Sequence, residues 1–155
     1  STTINDLMKR VGFHSEIKIF AEKKPILGTC AGLIMMSTFI ENDNRVAPLG
    51  ILDIEVTRNA YGSQADSFAG KININIDNQT PTIKAPFIRA PKIIKISKSV
   101  EVIGTYRNDI VAVKSGIHIG LTFHPELDQI DIFHKILFDS SSEVYFKKLD
   151  QYHAA

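Results

Sequence analysis

Cys30 is the single cysteine of the chain, set in Gly28-Thr29-Cys30-Ala31-Gly32. Upstream, Lys24-Pro25-Ile26-Leu27 is a short run suited to a buried strand. Downstream, Leu33-Ile34-Met35-Met36 has no turn residue and suits a helix. A nucleophile on a tight turn from strand to helix, with glycines leaving room around it, has the geometry of a nucleophile elbow. A helix N-terminus behind the sulfur favours thiolate over thiol. The competing reading is a small buried hydrophobe, the usual fate of a free cysteine. The turn argues against it, because a side chain there points out of the elbow rather than into the core.

Phe123-His124-Pro125-Glu126 supplies a base and a carboxylate. A lone His-x-Glu is ordinarily a loop histidine beside a surface glutamate. Here the pair follows an apolar strand, Ile117 to Phe123, which delivers it to one sheet edge. Residues two apart in extended chain face the same way, and Pro125 stiffens the piece between them. Glu126 can then fix the ring and tautomer of His124 while His124 exchanges a proton with Cys30. One Cys, one His and one Glu are the parts of a thiol-based acyl-transfer triad. A metal site is disfavoured, since no third ligand is evident. Arg58 and Arg89 read from spacing alone as surface charges. His14, His118, His134 and His153 have no partners in sequence and read as structural.

These residues need elements to hold them. Ser1, Thr2 and Thr3 are good N-caps, and Ile4, Leu7, Met8 and Val11 follow at helical spacing up to Gly12. Ile17, Ile19 and Phe20 suggest a second helix. Residues 25–29 form the strand into the elbow and residues 31–40 the helix out of it. Glu41 to Arg45 reads as a polar surface loop. A β-rich section begins at Ile51, Ile54 and Val56. Lys71 to Asp77 alternates as a half-exposed strand. Phe87-Ile88, Val100 to Tyr106, Ile110 to Val113 and Ile117 to Phe123 are further strands, with hairpin turns at Asn108-Asp109 and Ser115-Gly116. Helical spacing returns from Ile130 to Leu149, with Val144 and Phe146 among its core positions, and the tail from Gln151 is frayed. The order predicts an α/β sheet with an antiparallel section, in one domain spanning 1–155.

The chain has 155 residues, 44% hydrophobic and 23% charged, with net charge +1. That balance is ordinary for a globular domain and offers no electrostatic case for nucleic acid or an anionic membrane. One cysteine excludes an internal disulfide and fits a reducing cytoplasm. No apolar run approaches the roughly 20 residues that span a bilayer. No signal peptide or repeat is evident, and no cofactor is expected.

The elbow and the Phe123-His124-Pro125-Glu126-Leu127 segment resemble those of class I, triad-type glutamine amidotransferases. Two further segments narrow the likeness. Leu49-Gly50-Ile51-Leu52-Asp53 leading to Arg58-Asn59-Ala60-Tyr61-Gly62-Ser63-Gln64 and Asp66-Ser67-Phe68, then Phe87-Ile88-Arg89-Ala90-Pro91, resemble the glutaminase subunits of pyridoxal 5′-phosphate synthases. The resemblance implies a flavodoxin-like sheet flanked by helices. It implies that Cys30 attacks the carboxamide of L-glutamine, that a glutamyl thioester forms, and that water releases glutamate with His124 as base and Glu126 orienting it. The backbone N–H of Ala31 is then an oxyanion donor. Arg58, Ile88, Arg89 and Ser1 fall at substrate-binding positions. The ammonia passes to a (β/α)8-barrel synthase subunit, on which glutaminases of this kind depend for activity. In the family, a strand, a helix and a second strand precede a Gly-Gly-Glu-Ser-Thr-Thr loop, of which Ser1-Thr2-Thr3 stand here. The first strands are therefore expected to be absent, exposing apolar edges, in a fragment of a normal subunit or in a truncated chain of impaired activity.

Three other readings compete: the glutaminase of another synthase, such as imidazole glycerol phosphate synthase; a cysteine peptidase of similar architecture; and a non-catalytic binding subunit.

Overall fold

A computed structural model describes residues 1–58, 60, 67–76, 80–139 and 141. Two helices open the chain, α1 (Thr2–Val11) and α2 (Phe13–Ala21), divided by Gly12. Gly12 has φ 71° and its N–H closes onto Lys9 and Met8, the left-handed stop that glycine adopts without a Cβ penalty. Met8, Asn5 and Ala21 are buried, whereas Ile4, Leu7, Val11, Phe13, Ile19 and Phe20 are exposed.

Next come β1 (Leu27–Thr29) and α3 (Ala31–Met36). The helix is shorter than the 31–40 read from sequence, and Phe39–Glu41 is a strand, β2. The apolar run masks the break because Ser37 turns extended. The last carbonyls of α3 are then taken from outside the helix: Leu49 N–H donates to Met35, and Ile51 and Leu52 N–H to Met36, all within 2.9 Å. Such caps satisfy the orphan carbonyls that a helix end leaves.

The strands that follow are β3 (Ile54–Thr57), β4 (Ser67–Ile74), β5 (Thr82–Ile88), β6 (Lys92–Ile96), β7 (Glu101–Tyr106), β8 (Asp109–Ser115) and β9 (His118–Leu121). A 3-10 turn at Pro125–Asp128 and α4 (Ile132–Phe138) complete the described chain. Strand β6 is absent from the sequence reading because Lys-Ile-Ile-Lys-Ile does not alternate. The hairpin turns fall one residue from their expected places, at Arg107-Asn108 and Gly116-Ile117, with Arg107 and Gly116 both at φ 54°. The remainder of the expected helix to Leu149, with Val144 and Phe146, lies outside the described residues, as do the tail from Gln151 and most of the segment from Asn59 to Asp66.

Two sheets form. One has six strands in the order β1-β9-β8-β7-β4-β5; the other has three, β2-β3-β6. Among the described residues, β1–β9 and β2–β3 pair in parallel, and the other pairs are antiparallel. Following the directions across the large sheet, β1, β9, β7 and β5 run one way and β8 and β4 the other. The C-terminal ends of β1, β9 and β5 therefore share an edge.

Although β5 is last in the order, it approaches β9's exit. The His124 N–H donates to the Pro86 carbonyl at 2.9 Å, so the sheet curls back on itself. The curl encloses a ladder of rings. Phe68 stacks on Phe87 with centroids 4.8 Å apart, Phe87 meets Tyr106 at 5.2 Å and Phe123 at 5.7 Å, and Phe123 meets Phe133 edge-on at 5.8 Å. Phe87, Phe123 and Phe133 are fully buried. A second apolar cluster packs Leu33, Met35 and Met36 of α3 against Leu52, Val56 and Ile93.

Candidate active site

The elbow forms as its residues demand. Cys30 has φ 46° and ψ −99°, a strained backbone for any residue but glycine. The strain is held from both sides: the Cys30 N–H donates to Leu121 O at 2.8 Å, and its carbonyl accepts from Ile34 N–H at 3.2 Å. At Gly28 a Cβ would stand 2.4 Å from Met36 Sδ and 2.8 Å from the Gly32 carbonyl carbon, so only glycine lets β1 and α3 meet this closely. Gly32 is different. A Cβ there meets nothing within 4 Å, so packing in this structure does not require glycine.

Cys30 Sγ–H donates to the carbonyl oxygen of Ile88 at 3.6 Å. Burial pushes the thiol's pKa up; the Ala31 N–H pulls it down by less, and Glu126 adds to the rise. A helix N-terminus behind the sulfur thus does not by itself lower the thiol's pKa: helix α3 has only six residues, and desolvation is the largest influence on the group.

Since β1 and β9 are parallel with Thr29 opposite Leu121, the chain leaving β9 emerges beside the elbow. There His124 Nδ1–H donates to Glu126 Oε1 at 2.6 Å. Pro125 starts the 3-10 turn between them. The bond fixes Nδ1 as donor and leaves Nε2 to accept a proton. Cys30, Ala31, Ile88, His124 and Glu126 thus gather at one sheet edge, and Ser1 lies within electrostatic reach of the sulfur.

The remaining predicted substrate residues border this edge. Arg89 follows Ile88 with φ 46°, exposed and strained. The Ser1 hydroxyl is buried with no hydrogen-bond partner among the described residues. The backbone nitrogen of Ser1 lies within electrostatic reach of Arg58 and Asp43 as well as of Cys30.

Arg58 is not the freely solvated charge that its spacing suggested. Its Nη1 pairs with Asp43 Oδ2 and donates to Thr2 Oγ1 at 3.3 Å. The polar run from Glu41 to Arg45 lies at the surface as read, except at Asp43, whose side chain is 4% exposed. Asp43 accepts from Arg45 Nε at 3.0 Å and from the Arg45 backbone N–H at 2.9 Å. Arg45, then Arg58, hold the Asp43 carboxyl well below the usual carboxylate range. Asp43 is the site residue that the sequence does not reveal: a polar run reads as solvated, and its second partner lies across a strand.

His118 lines a cleft of about 290 Å³ with Lys18, Glu22 and Gly50, at the opposite end of β9 from His124. The His134 ring packs 6.1 Å from Phe138. Among the described residues, no three His, Cys, Asp or Glu side chains converge as a metal site, and no helix is long and apolar enough to cross a membrane.

Residues 1–141 match the SNO glutamine amidotransferase family. A protein of Oenococcus oeni named pyridoxal 5′-phosphate synthase subunit PdxT is 46% identical over 92% of this chain and 73% of its own length. A namesake from Haloarcula marismortui is 42% identical over 92% and 72%. Among solved structures, one titled as a glutamine amidotransferase superposes with a TM-score of 0.81 at 30% identity, covering 89% of this chain and 72% of that one.

Proposed function

This chain belongs to the SNO glutamine amidotransferase family, and from that premise we propose that Cys30, His124 and Glu126 perform its chemistry as a thiol triad. The activity is that of the glutaminase subunit of pyridoxal 5′-phosphate synthase, which hydrolyses glutamine to glutamate and delivers ammonia to pyridoxal phosphate synthesis.

In the first half-reaction His124 Nε2 takes the Cys30 proton as the sulfur attacks the side-chain carboxamide carbon of glutamine. The oxyanion is held by the Ala31 N–H. Collapse breaks the C–N bond, His124 returns the proton to the nitrogen, and ammonia leaves a glutamyl thioester on Cys30. In the second, His124 deprotonates a water that attacks the thioester, and glutamate leaves as the thiol is restored. Glu126 keeps Nδ1 protonated and stabilises the imidazolium formed in each half. With partial burial pushing the thiol's pKa up, little thiolate forms without this base. At the other end of the substrate, Arg58 pairs with the α-carboxylate. Ile88, Arg89 and the Ser1 hydroxyl border the same pocket. The ammonia is received by a (β/α)8-barrel synthase subunit docked at this edge, in the cytoplasm, where an unpaired thiol survives. Neither nucleic acid nor membrane is a partner.

The observation that carries this reading is the strained Cys30 elbow sharing a sheet edge with the hydrogen-bonded His124–Glu126 pair. Cys30→Ala tests it in the complex with the synthase subunit: glutamate release is lost and docking persists. Release unchanged in that variant would show that Cys30 is not the nucleophile; a parent complex that releases no glutamate would favour a binding subunit without catalysis.

A further inference from the structure

The parallel register of β2 and β3 places Glu41 opposite Thr57. The chains leaving the two strands therefore run side by side, with Asp43 two residues beyond one and Arg58 one beyond the other. Asp43 is nearly enclosed, its side chain 4% exposed, against 24% for Arg58 and 73% for Arg45. Its position is fixed from α1 as well. Asn5, fully buried, accepts from the Ala47 N–H at 3.1 Å and donates to the Arg45 carbonyl at 3.2 Å. The loop is thus pinned at Arg45, Asp43's partner, and again at Ala47.

We propose that Asp43 is a positioning residue for glutamine recognition, holding the Arg58 guanidinium with its free edge toward the substrate's α-carboxylate. The proposal rests on the reading of Arg58 as that carboxylate's partner. Among the described residues, both hydrogen bonds of the Arg58 side chain use Nη1, to Asp43 and to Thr2. Nε and Nη2, the fork that binds a carboxylate, remain for a ligand. Nor does Asp43 cancel the charge that binding needs. It faces two guanidiniums, Arg45 and Arg58, so the cluster keeps one net positive charge. An arginine side chain loses rotamer freedom when it engages a ligand; a buried anion that has already fixed it removes part of that cost.

The test is steady-state glutamate release by the chain bound to its synthase subunit, with Asp43→Asn, Asp43→Glu, Arg58→Ala and the double variant Asp43→Asn/Arg58→Ala. An interaction made equally in ground and transition states appears in KM, so Asp43→Asn should raise KM for glutamine about tenfold or more while kcat stays within about twofold. In the Arg58→Ala background Asp43→Asn should add nothing further, because its effect travels through that arginine. If Asp43→Asn fails to fold, Asp43→Glu carries the same expectation, since it keeps the charge but displaces it by a methylene. A fall in kcat at unchanged KM, or an effect that adds to that of Arg58→Ala, would overturn the positioning role while leaving Arg58's. Unchanged KM in Arg58→Ala would overturn the reading of Arg58 and the proposal with it. A parent complex that turns over no glutamine would do the same.

Discussion

A half-buried thiol beside a histidine–carboxylate pair behaves differently from the activated thiolate of a helix-terminal cysteine. The raised pKa of Cys30 means less thiolate at any given pH than a free cysteine has. In the unliganded chain, alkylation of Cys30 by iodoacetamide should therefore be slower than that of free cysteine at pH 7–8, its rate rising with pH to a midpoint above that of a free thiol. A midpoint below it would show that the dipole of α3 prevails after all. Glu126 is the second residue whose role is separable. Glu126→Gln preserves shape but not charge, and so weakens both the tautomer and the imidazolium. We expect kcat to fall by about 10²–10⁴ with little change in KM. A KM effect alone would make Glu126 a substrate contact instead of the group that orients His124.

At the scale of elements, the elbow depends on how closely β1 and α3 approach. Gly28→Ala forces a methyl against backbone at Gly32 and should destabilise the fold by about 1–3 kcal/mol. Gly32→Ala, in the first turn of α3 with open space around its Cβ, should leave thermal stability equal or improved by up to about 1 kcal/mol. Equal effects of the two substitutions on Tm would contradict the packing described. The elbow, the β9 exit and the first two helices are legible in the sequence because each rests on local signals: glycine spacing, an apolar run, a cap. Strand β2 is not legible, since Phe39–Glu41 continues an apolar run whose break depends on carbonyls captured by residues 49–52. Strand β6 hides because pairing with β3, across a register shift between Glu55 and Val56, overrides alternation. Asp43 escapes for the same non-local reason: its burial is set by Arg58 and by the Asn5-pinned loop. The thiol's pKa is not legible either, because the sign of a dipole is visible in a sequence and desolvation is not.

Over the whole molecule, the curled sheet joins the site to the core. Phe123 is the residue before His124, and Phe87 the one before Ile88, so the ring ladder seats both site segments. Phe123→Ala should cost about 3–5 kcal/mol and take activity with it, because the cavity opens directly beneath the base. The Asp43 cluster ties α1 to the small sheet, and its charge makes that tie pH-dependent. With Asp43's carboxyl depressed in the folded state, its contribution is present above the unfolded carboxylate value, near 4, and is lost as pH falls through the folded one. The Tm gap between the parent chain and Asp43→Asn should accordingly be widest at neutral pH and close in acid; a gap independent of pH would contradict the ion-pair account. The central claim is that one sulfur carries the glutaminase reaction. Its most direct test is glutamate release from glutamine by the chain, with and without the synthase subunit, using Cys30→Ala as the blank. The account predicts partner-dependent release that vanishes in the variant while the complex still forms. Release from Cys30→Ala at the parent rate would contradict it.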